Sequence, residues 1–317
     1  MHTFMKKIKS FYERCSSIPS QLDLDNILIS QGMLHSKINK NKNKIAKLSD
    51  IEWKSFSQFG EDGIIDWLLD RIAGVPEIFI EFGVGNYLES NTRMLLHHRN
   101  WSGLVFDGDL KNIDEIKNHD IYWRYNLTAK YEFVNKENIN DLINENGFSN
   151  DIGLLSIDVD GNDYWIMDAI DVVKPIIIVC EYNAIFGNKH KLTIPYRKDF
   201  QRTKAHYSNL YFGASLPALI DLAEHKGYKF IGTNLNGVNA FFIRNDKADK
   251  ALESITKIIA YPSKLREARN QNGDLCFTKQ ILRSKIINHM PLLNLSDDSI
   301  TNLSKCEPLY SDPWQAD

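Results

Sequence analysis

Two apolar segments, about twenty residues apart, constrain the fold of this chain most. The first is Ile78-Phe-Ile-Glu-Phe-Gly-Val-Gly85, and the second is Gly103-Leu-Val-Phe-Asp-Gly-Asp109. Short apolar runs bounded by glycine predict strands that are buried on both faces of a parallel sheet. A strand that ends in a glycine turn, followed by a strand that ends in an acid, is the arrangement that holds an adenine nucleoside. We therefore expect a nucleoside cofactor.

The residues of the glycine turn separate two classes of cofactor. A dinucleotide site uses the spacing GxGxxG, because its pyrophosphate needs a nearby helix N-terminus. Here Leu88 replaces the third glycine, and Glu81 places a negative charge just before the turn. That charge repels a diphosphate and attracts an ammonium group, so the residues favour S-adenosylmethionine over NAD. The alternative is an ordinary strand-to-helix turn in which Gly-x-Gly occurs by chance.

Three further features complete the predicted cofactor site. Gly83 and Gly85 have no β-carbon that would keep a ligand away from the turn. Asp107 ends the second strand, where an acid accepts hydrogen bonds from ribose hydroxyls. Gln58 and Gly60 precede the first strand, where they could close over the methionine part of the cofactor or, equally, cap a helix.

Strands and helices alternate through the middle of the chain. Later strands are predicted at 121–128, 152–158 and 175–181, and a closing pair at 228–233 and 239–244. Helices are predicted at 64–72, 89–100, 138–145, 164–172 and 215–225. Alternation of this kind predicts a mainly parallel α/β sheet, and the closing hairpin adds one antiparallel strand.

Length and composition fit one main domain with extensions. The chain has 317 residues, of which 43% are hydrophobic. We predict a polar, helical extension and linker at residues 1–50, the α/β domain at 51–250 and a helical tail at 251–317. The formal net charge of −3 and the pI near 6.3 give no global attraction to nucleic acid. An apolar stripe between Leu22 and Leu34 predicts a packing face or a contact in a homo-oligomer.

The cysteines and the apolar runs indicate in which cellular compartment the protein is expected. Four cysteines lack the spacing of a metal site and are predicted to be reduced thiols. These are Cys15, Cys180, Cys276 and Cys306. The longest apolar run, Ile176 to Cys180, is too short for a membrane span, and no signal-peptide core follows the basic N-terminus. We therefore expect a cytoplasmic protein.

Carboxylates follow two neighbouring strands of the predicted sheet. Asp158, Asp160 and Asp163 lie in one turn, and Glu181 ends the next strand. Asp158, Asp160 and Glu181 could hold Mg²⁺, which would lower the pKa of a substrate hydroxyl. Without a metal, crowding raises the pKa of one carboxylate and makes it a general base. In a third interpretation Asp160 and Asp163 cap the next helix.

The polar stretch at residues 183–214 has no clear period and is predicted to be a lid or substrate loop. It contains His206, which could deprotonate a hydroxyl at neutral pH, although a histidine in a polar loop is more often simply solvated. The candidate catalytic residues are Asp158, Asp160 and His206.

Four motifs in this order resemble those of the FkbM branch of class I S-adenosylmethionine-dependent methyltransferases. They are Ser57-Gln-Phe-Gly-Glu-Asp-Gly63, Phe79-Ile-Glu-Phe-Gly-Val-Gly85, Ser156-Ile-Asp-Val-Asp-Gly-Asn-Asp-Tyr164 and Gly237-Val-Asn-Ala-Phe-Phe-Ile-Arg244. The resemblance covers residues 55–245. It implies a Rossmann-like fold with a seven-stranded, mainly parallel sheet whose last strand is antiparallel, flanked here by helical N- and C-terminal extensions.

The resemblance also implies roles for individual residues. Glu81, Gly83 and Gly85 would line the methionine end of the cofactor, Asp107 would hold the ribose, and Asp158 would face the sulfonium and the acceptor. The candidate cofactor-binding residues are Gln58, Gly60, Glu81, Gly83, Gly85, Ser90, Asn91, Asp107, Gly108 and Asp158. The acidic strand ends are also similar to those of Mg²⁺-dependent macrolide-sugar O-methyltransferases. Many FkbM relatives have Glu-Gly where this chain has Asp160-Gly161. The chain therefore departs from the family pattern at a residue that is a candidate metal ligand and a candidate base.

Members of this family typically methylate oxygen atoms of sugars or secondary metabolites. The resemblance therefore implies an O-methyltransferase that acts on a sugar, a glycan precursor or a related metabolite, as in polysaccharide biosynthesis. Two alternatives are an N-methyltransferase of a small metabolite and a non-catalytic scaffold that retains the fold. The expected partners are a small-molecule or saccharide acceptor and a second copy of the chain through the N-terminal helix, without nucleic acid or a membrane span.

Overall fold

The computed structural model describes residues 21–265 and 267–315. The strands are β1 (Ile78–Phe82), β2 (Ser102–Asp107), β3 (Leu127–Tyr131), β4 (Asn150–Ile157), β5 (Val173–Glu181), β6 (Leu192–Thr193), β7 (Tyr228–Thr233), β8 (Asn239–Arg244), β9 (Leu292–Asn294) and β10 (Ser299–Thr301). The α-helices before β5 are α1 (Gln21–Lys40), α2 (Glu61–Leu69), α3 (Arg93–Arg99), α4 (Leu110–Asn118), α5 (Asp120–Arg124), α6 (Ile139–Glu145) and α7 (Asp163–Ala169). Those after it are α8 (Arg202–Ala205), α9 (Leu216–His225), α10 (Asn245–Glu253), α11 (Gln280–Ile286) and α12 (Asp312–Gln315).

Seven strands form the main sheet, in the order β3-β2-β1-β4-β5-β8-β7. The pairs from β3 to β5 are parallel, whereas β8 is antiparallel to both β5 and β7. This confirms the predicted fold class, a seven-stranded α/β sheet with one antiparallel strand. The order changes direction beside β1, and the carboxyl ends of β1 and β4 therefore border a crevice of the kind in which open α/β sheets bind their ligands.

Both faces of the sheet are covered, which explains why its central strands are largely apolar. In β1, Phe79 packs into the apolar core on one face, and Ile80 and Phe82 into the core on the other. In β5 the alternation continues, with Val179 on the first face and Ile178 on the second. Successive side chains of a strand point to opposite faces, so burial on both faces demands a continuous apolar run.

One predicted strand was misplaced. Residues 121–128 were expected to form the third strand, but residues 120–124 form helix α5 and the strand begins at Leu127. The nitrogen Nδ1 of His119 accepts a hydrogen bond from the backbone of Ile121, which caps the short helix. The aromatic and β-branched residues of this segment mimic a strand pattern, and the local cap decides in favour of the helix.

The N-terminal helix α1 rests on the domain with one face only. Leu28 and Ile29 pack against Trp53, Phe56 and Met94. Leu24, Ile27, Met33 and Leu34, from the predicted stripe, are exposed. The homo-oligomer contact through this helix therefore stays a prediction. Residues 1–20 of the predicted extension, with Cys15, lie outside the described residues.

The C-terminal segment packs onto the main domain. Strand β9 joins β6, from the predicted lid, and β10 in a second, three-stranded sheet that the sequence did not predict. Leu292, Leu309 and Trp314 are buried in the same apolar cluster as β4 and β5. Cys180, Cys276 and Cys306 are free thiols. None of the described helices is both long and apolar enough to cross a membrane.

Candidate functional site

A cleft of about 540 Å³ lies at the carboxyl ends of β1, β2, β4 and β5. A second part of about 280 Å³ continues from it towards Glu81 and the start of α3. Gln58, Gly83, Gly85 and Asp158 border both parts. The acidic and glycine-rich strand ends that were predicted from the sequence therefore meet at one site.

The glycine turn after β1 is shaped by two left-handed residues. Gly83 has φ +73° and Gly85 has φ +54°, a conformation that side chains with a β-carbon rarely adopt. A β-carbon on Gly83 would lie 1.6 Å from the carbonyl oxygen of Asp158, so the turns after β1 and β4 touch through their backbones. Apart from the chain neighbours of Gly85, no described atom lies within 4 Å of a β-carbon placed on it, so this position faces open space.

Glu81, at the end of β1, organises the segment that leads into α3. It is 5% exposed, and its carboxylate accepts hydrogen bonds from Ser90 Oγ at 2.5 Å and Thr92 Oγ1 at 2.5 Å. The backbone N–H of Asn91 donates to it at 2.9 Å and Ser156 Oγ at 3.3 Å. Burial raises the pKa of Glu81, which these hydrogen bonds partly offset.

Asp107 has a comparable role at the end of β2. Its Oδ2 accepts a hydrogen bond of 2.7 Å from the N–H of Gly85. Its Oδ1 accepts from the N–H of Asp109 at 2.9 Å and from Asn112 Nδ2 at 2.8 Å. The carboxylate is thus fixed against the glycine turn, and both Asp107 and Gly108 line the larger part of the cleft.

The other candidate cofactor residues are spread over the two parts of the cleft. Gln58 is exposed and borders both parts, whereas Gly60 is buried at the N-cap of α2 and is not among the lining residues. Ser90 and Asn91 line the smaller part. The amide of Asn91 also donates to Ser156 Oγ at 3.1 Å, which ties the start of α3 to β4.

Asp158, Asp163 and Glu181 form a compact acidic cluster. Each offers a carboxylate oxygen within 4.8 Å of the others. Burial, reinforced by the neighbouring carboxylates, raises the pKa values of Asp158 and Glu181 well above the ordinary range. Asp163 has a pKa raised to about 6 by burial, and its oxygens accept from the backbone N–H groups of Val159 and Gly161. Asp163 therefore shapes the turn, while Asp158 and Glu181 line the cleft.

Asp160 is separated from this cluster. It has φ +53°, and its side chain is 62% exposed. Its Oδ1 accepts from Arg202 Nη1 at 2.6 Å. Of the three predicted metal ligands, the structure therefore groups Asp158 with Glu181 and brings Asp163 to them instead of Asp160.

His206 lies apart from the cleft and is not among its lining residues. Its Nδ1 is 2.7 Å from Ser208 Oγ and accepts from the N–H of Ser208 at 3.2 Å. Its ring contacts Tyr207, with 4.4 Å between centroids. Burial lowers its pKa. These are local structural contacts, and the catalytic role of His206 stays a prediction.

Sequence reasoning missed Arg202. Its guanidinium lies 3.9 Å from the ring centroid of Phe212, and Nε donates to the carbonyl of Asn209 at 2.6 Å. Through Asp160 it joins the loop of residues 200–212 to the turn after β4. Asn162 was also missed; it is buried, lines the cleft and donates to the carbonyl of Arg197. A helix of four residues is too short to give Arg202 a periodic signal, and no local pattern reveals which strand end its side chain will reach.

Comparison with known proteins identifies the family. Residues 75–230 match the family model described as Methyltransferase FkbM domain. No curated protein sequence matches the chain.

Several solved structures align with part of the chain. The N-terminal domain of EvdMO1 with SAH bound is 10% identical and aligns over 59% of this chain and 80% of its own, with a TM-score of 0.38. An S-adenosylmethionine-dependent methyltransferase from Clostridium acetobutylicum ATCC 824 is 8% identical over 58% and 90%, with a TM-score of 0.35. The CcbJ methyltransferase from Streptomyces caelestis is 12% identical over 65% and 98%, with a TM-score of 0.35. These scores are low, so the family assignment rests on the family model. Residues 75–230, about half of the chain, carry a methyltransferase domain of the FkbM family.

Proposed function

We propose that the protein transfers a methyl group from S-adenosylmethionine to a hydroxyl oxygen of a sugar, a glycan precursor or a related metabolite. The observation that carries this proposal is that Asp158 and Glu181 border the same cleft as Gly83, Gly85 and Asp107. A proton acceptor and a nucleoside-binding turn then share one space.

The residues of the cleft fit the cofactor. Gly85 faces open space, so its backbone is accessible to a ligand. Asp107 is held by three hydrogen bonds, and its Oδ2, which accepts only one of them, can accept a further one from a ribose hydroxyl. Gln58, Glu81 and Asn91 border the smaller part, where the methionine moiety would lie, with its ammonium near Glu81. When bound, S-adenosylmethionine supplies a methyl group already activated by a sulfonium.

The protein then has two tasks, which are to align the acceptor oxygen with the methyl carbon and to remove one proton. The oxygen–methyl bond forms as the sulfur–methyl bond breaks, and the hydroxyl proton passes to a carboxylate. Asp158 is the closer of the two candidates to the turn, because its own backbone contacts Gly83. Glu181 stands behind it in the acidic cluster and can share the proton.

Three other interpretations stand beside this proposal. The acidic cleft would also attract an amine, which would make the protein an N-methyltransferase of a small metabolite. A Mg²⁺-assisted reaction would use the oxygens of Asp158, Asp163 and Glu181. A non-catalytic scaffold has no physical need for an open turn at Gly85 beside a fixed Asp107.

The test combines binding with product analysis. Calorimetric titration should show binding of S-adenosylmethionine and of S-adenosylhomocysteine, and absence of both would contradict every enzymatic interpretation. Incubation of saccharide and amine mixtures with methyl-labelled S-adenosylmethionine, followed by NMR, should give methyl ethers. Methylamines alone would favour N-methylation, and activity lost on chelation and restored by Mg²⁺ would favour the metal.

A further inference from the structure

The cleft is strongly acidic. The carboxylates that line its larger part are Asp107, Glu132, Asp158, Asp160, Glu181 and Glu267. Among the described lining residues Arg202 is the only lysine or arginine, and its guanidinium is already 2.6 Å from Asp160. The smaller part adds Glu81 and Glu89 and no cation from the described residues. The field in the cleft therefore favours a cationic ligand and opposes an anionic one.

Glu181 is a buried carboxylate of the cleft with one unpartnered oxygen. It is 7% exposed, and none of the described groups donates a hydrogen bond to its Oε2. Its neighbours in the cluster, Asp158 and Asp163, are themselves carboxyl groups. Buried polar atoms are normally hydrogen-bonded, and an unpartnered one in a cleft calls for a donor from a ligand. A donor that also carries positive charge would best compensate this group.

Two further groups surround this position. Asn162 is 4% exposed, and its Oδ1 also has no donor among the described groups. Glu267 borders the same wall as Glu181 and Arg202, and its Oε1 lies 3.9 Å from Arg269. The unpartnered oxygens of Asn162 and Glu181 thus lie at or after the carboxyl ends of β4 and β5, and β1 lies between these strands and β2, which ends at Asp107. The methyl acceptor would be placed beside these oxygens.

We propose that the acceptor carries an ammonium group, bound by Glu181, beside the hydroxyl that is methylated; this rests on the proposed methyltransferase function. The acceptor class is an amino sugar or a similar amino polyol. Acceptors that carry phosphate, including nucleotide-linked sugars, are excluded by repulsion from the carboxylates. Because the acidic wall keeps the amine protonated, its nitrogen has no free electron pair, and methylation is directed to oxygen.

The experiment uses three sugars with the same ring and different charge. The full-length protein saturated with S-adenosylhomocysteine is titrated calorimetrically with glucosamine, glucose and glucose 6-phosphate at pH 7. Glucosamine should bind about tenfold more tightly than glucose, since its ammonium adds a charge-assisted hydrogen bond to Glu181. Glucose 6-phosphate should bind most weakly. In Glu181→Gln the advantage of glucosamine over glucose should disappear.

The control is Glu145→Gln, an exposed residue of α6, which removes one negative charge away from the cleft. It should keep the preference for glucosamine. Equal binding of the three sugars, no binding of glucosamine at millimolar concentration, or a preference that survives in Glu181→Gln would overturn the inference. Binding of glucose that appears only with added Mg²⁺ would also overturn it, because the cluster would then hold a metal. Failure of S-adenosylhomocysteine to bind would instead refute the proposed function itself.

Discussion

The carbonyl oxygen of Asp158 lies 1.6 Å from the position that a β-carbon on Gly83 would occupy. The strand ends of β1 and β4 can therefore approach only because residue 83 has no side chain. This contact brings the glycine turn, which faces the proposed cofactor space, next to the acidic turn, which faces the proposed acceptor space.

Substitution of Gly83 should separate the two turns. We expect Gly83→Ala to lower the free energy of unfolding by about 2–4 kcal/mol, from overpacking and from the strained positive φ. It should also abolish binding of S-adenosylhomocysteine. Chemical denaturation and calorimetry measure the two effects. Gly85→Ala is the matched control: it has the same strain but no atom within 4 Å, so its loss of stability should be smaller.

Asp107 should contribute to cofactor affinity through its charge. In Asp107→Asn we expect S-adenosylhomocysteine to bind about 10- to 100-fold more weakly, because hydrogen bonds to a charged acceptor are replaced by weaker ones. Asp109→Asn, at the exposed N-cap of α4, should leave the dissociation constant unchanged. Equal affinity of the Asp107 variant and the wild type would remove Asp107 from the cofactor site.

Asp158 should act on the reaction more than on binding. We expect Asp158→Asn to lower kcat about 10²- to 10⁴-fold, the usual contribution of a positioned general base, while affinity for S-adenosylhomocysteine changes little. Steady-state kinetics with labelled cofactor would measure this. The Asp160→Asn variant should lose much less, because its exposed carboxylate is paired with Arg202. A larger loss in the Asp160 variant would reverse the assignment.

The ion pair between Asp25 and Arg93 should anchor helix α1 to the segment that follows the glycine turn. The atoms Oδ2 and Nη2 are 2.5 Å apart, and the side chains are 2% and 1% exposed. Arg93 also donates to the carbonyls of Tyr87 and Leu88. Removing one partner of a buried pair is costly, so Asp25→Asn should lower stability by about 3 kcal/mol in urea denaturation.

The same variant should weaken binding of S-adenosylhomocysteine, because the segment at Tyr87 is loosened. Asp249→Asn breaks an exposed pair with Lys229 and should cost less than about 0.5 kcal/mol. Similar small losses in both variants would show that α1 is not held by this ion pair.

His97 should make the folded protein less stable as the pH decreases. Burial, with the nearby charge of Arg93, lowers its pKa from the ordinary value of 6.5 to about 4. Between these pH values the unfolded chain binds a proton that the folded protein does not, so the free energy of unfolding decreases as pH falls through this window. Urea denaturation of wild type and His97→Asn at several pH values would reveal it.

The comparison must be made as a difference between the two proteins. Burial raises the pKa values of Asp62 and Asp163 to about 6. As the pH decreases, the folded protein therefore protonates these groups before the unfolded chain does, and their contribution to the free energy of unfolding increases. They are common to both proteins, so their effect cancels. A pH dependence identical in the wild type and the variant would contradict the assignment to His97.

Local patterns were sufficient to predict the sheet and the position of the glycine turn after β1. The apolar runs of β1, β2, β4 and β5 are short and bounded by glycine or acids, and burial on both faces leaves few other ways to fold them. Residues 120–124 show the limit, since a cap at His119 outweighed a strand-like composition. The three-stranded sheet of β6, β9 and β10 joins residues about one hundred positions apart, which no local window can relate.

The sequence by itself determined the α/β sheet, the family and the strand ends at which Glu81, Gly83 and Asp107 lie, because each follows from a pattern within a few residues. Tertiary structure alone decided which carboxylates meet. It turned Asp160 outward to Arg202, brought Asp163 and Glu181 to Asp158, and placed His206 outside the cleft. These pairings depend on where distant turns and loops are held in space, and the charge and hydrogen bonding of the site follow from them.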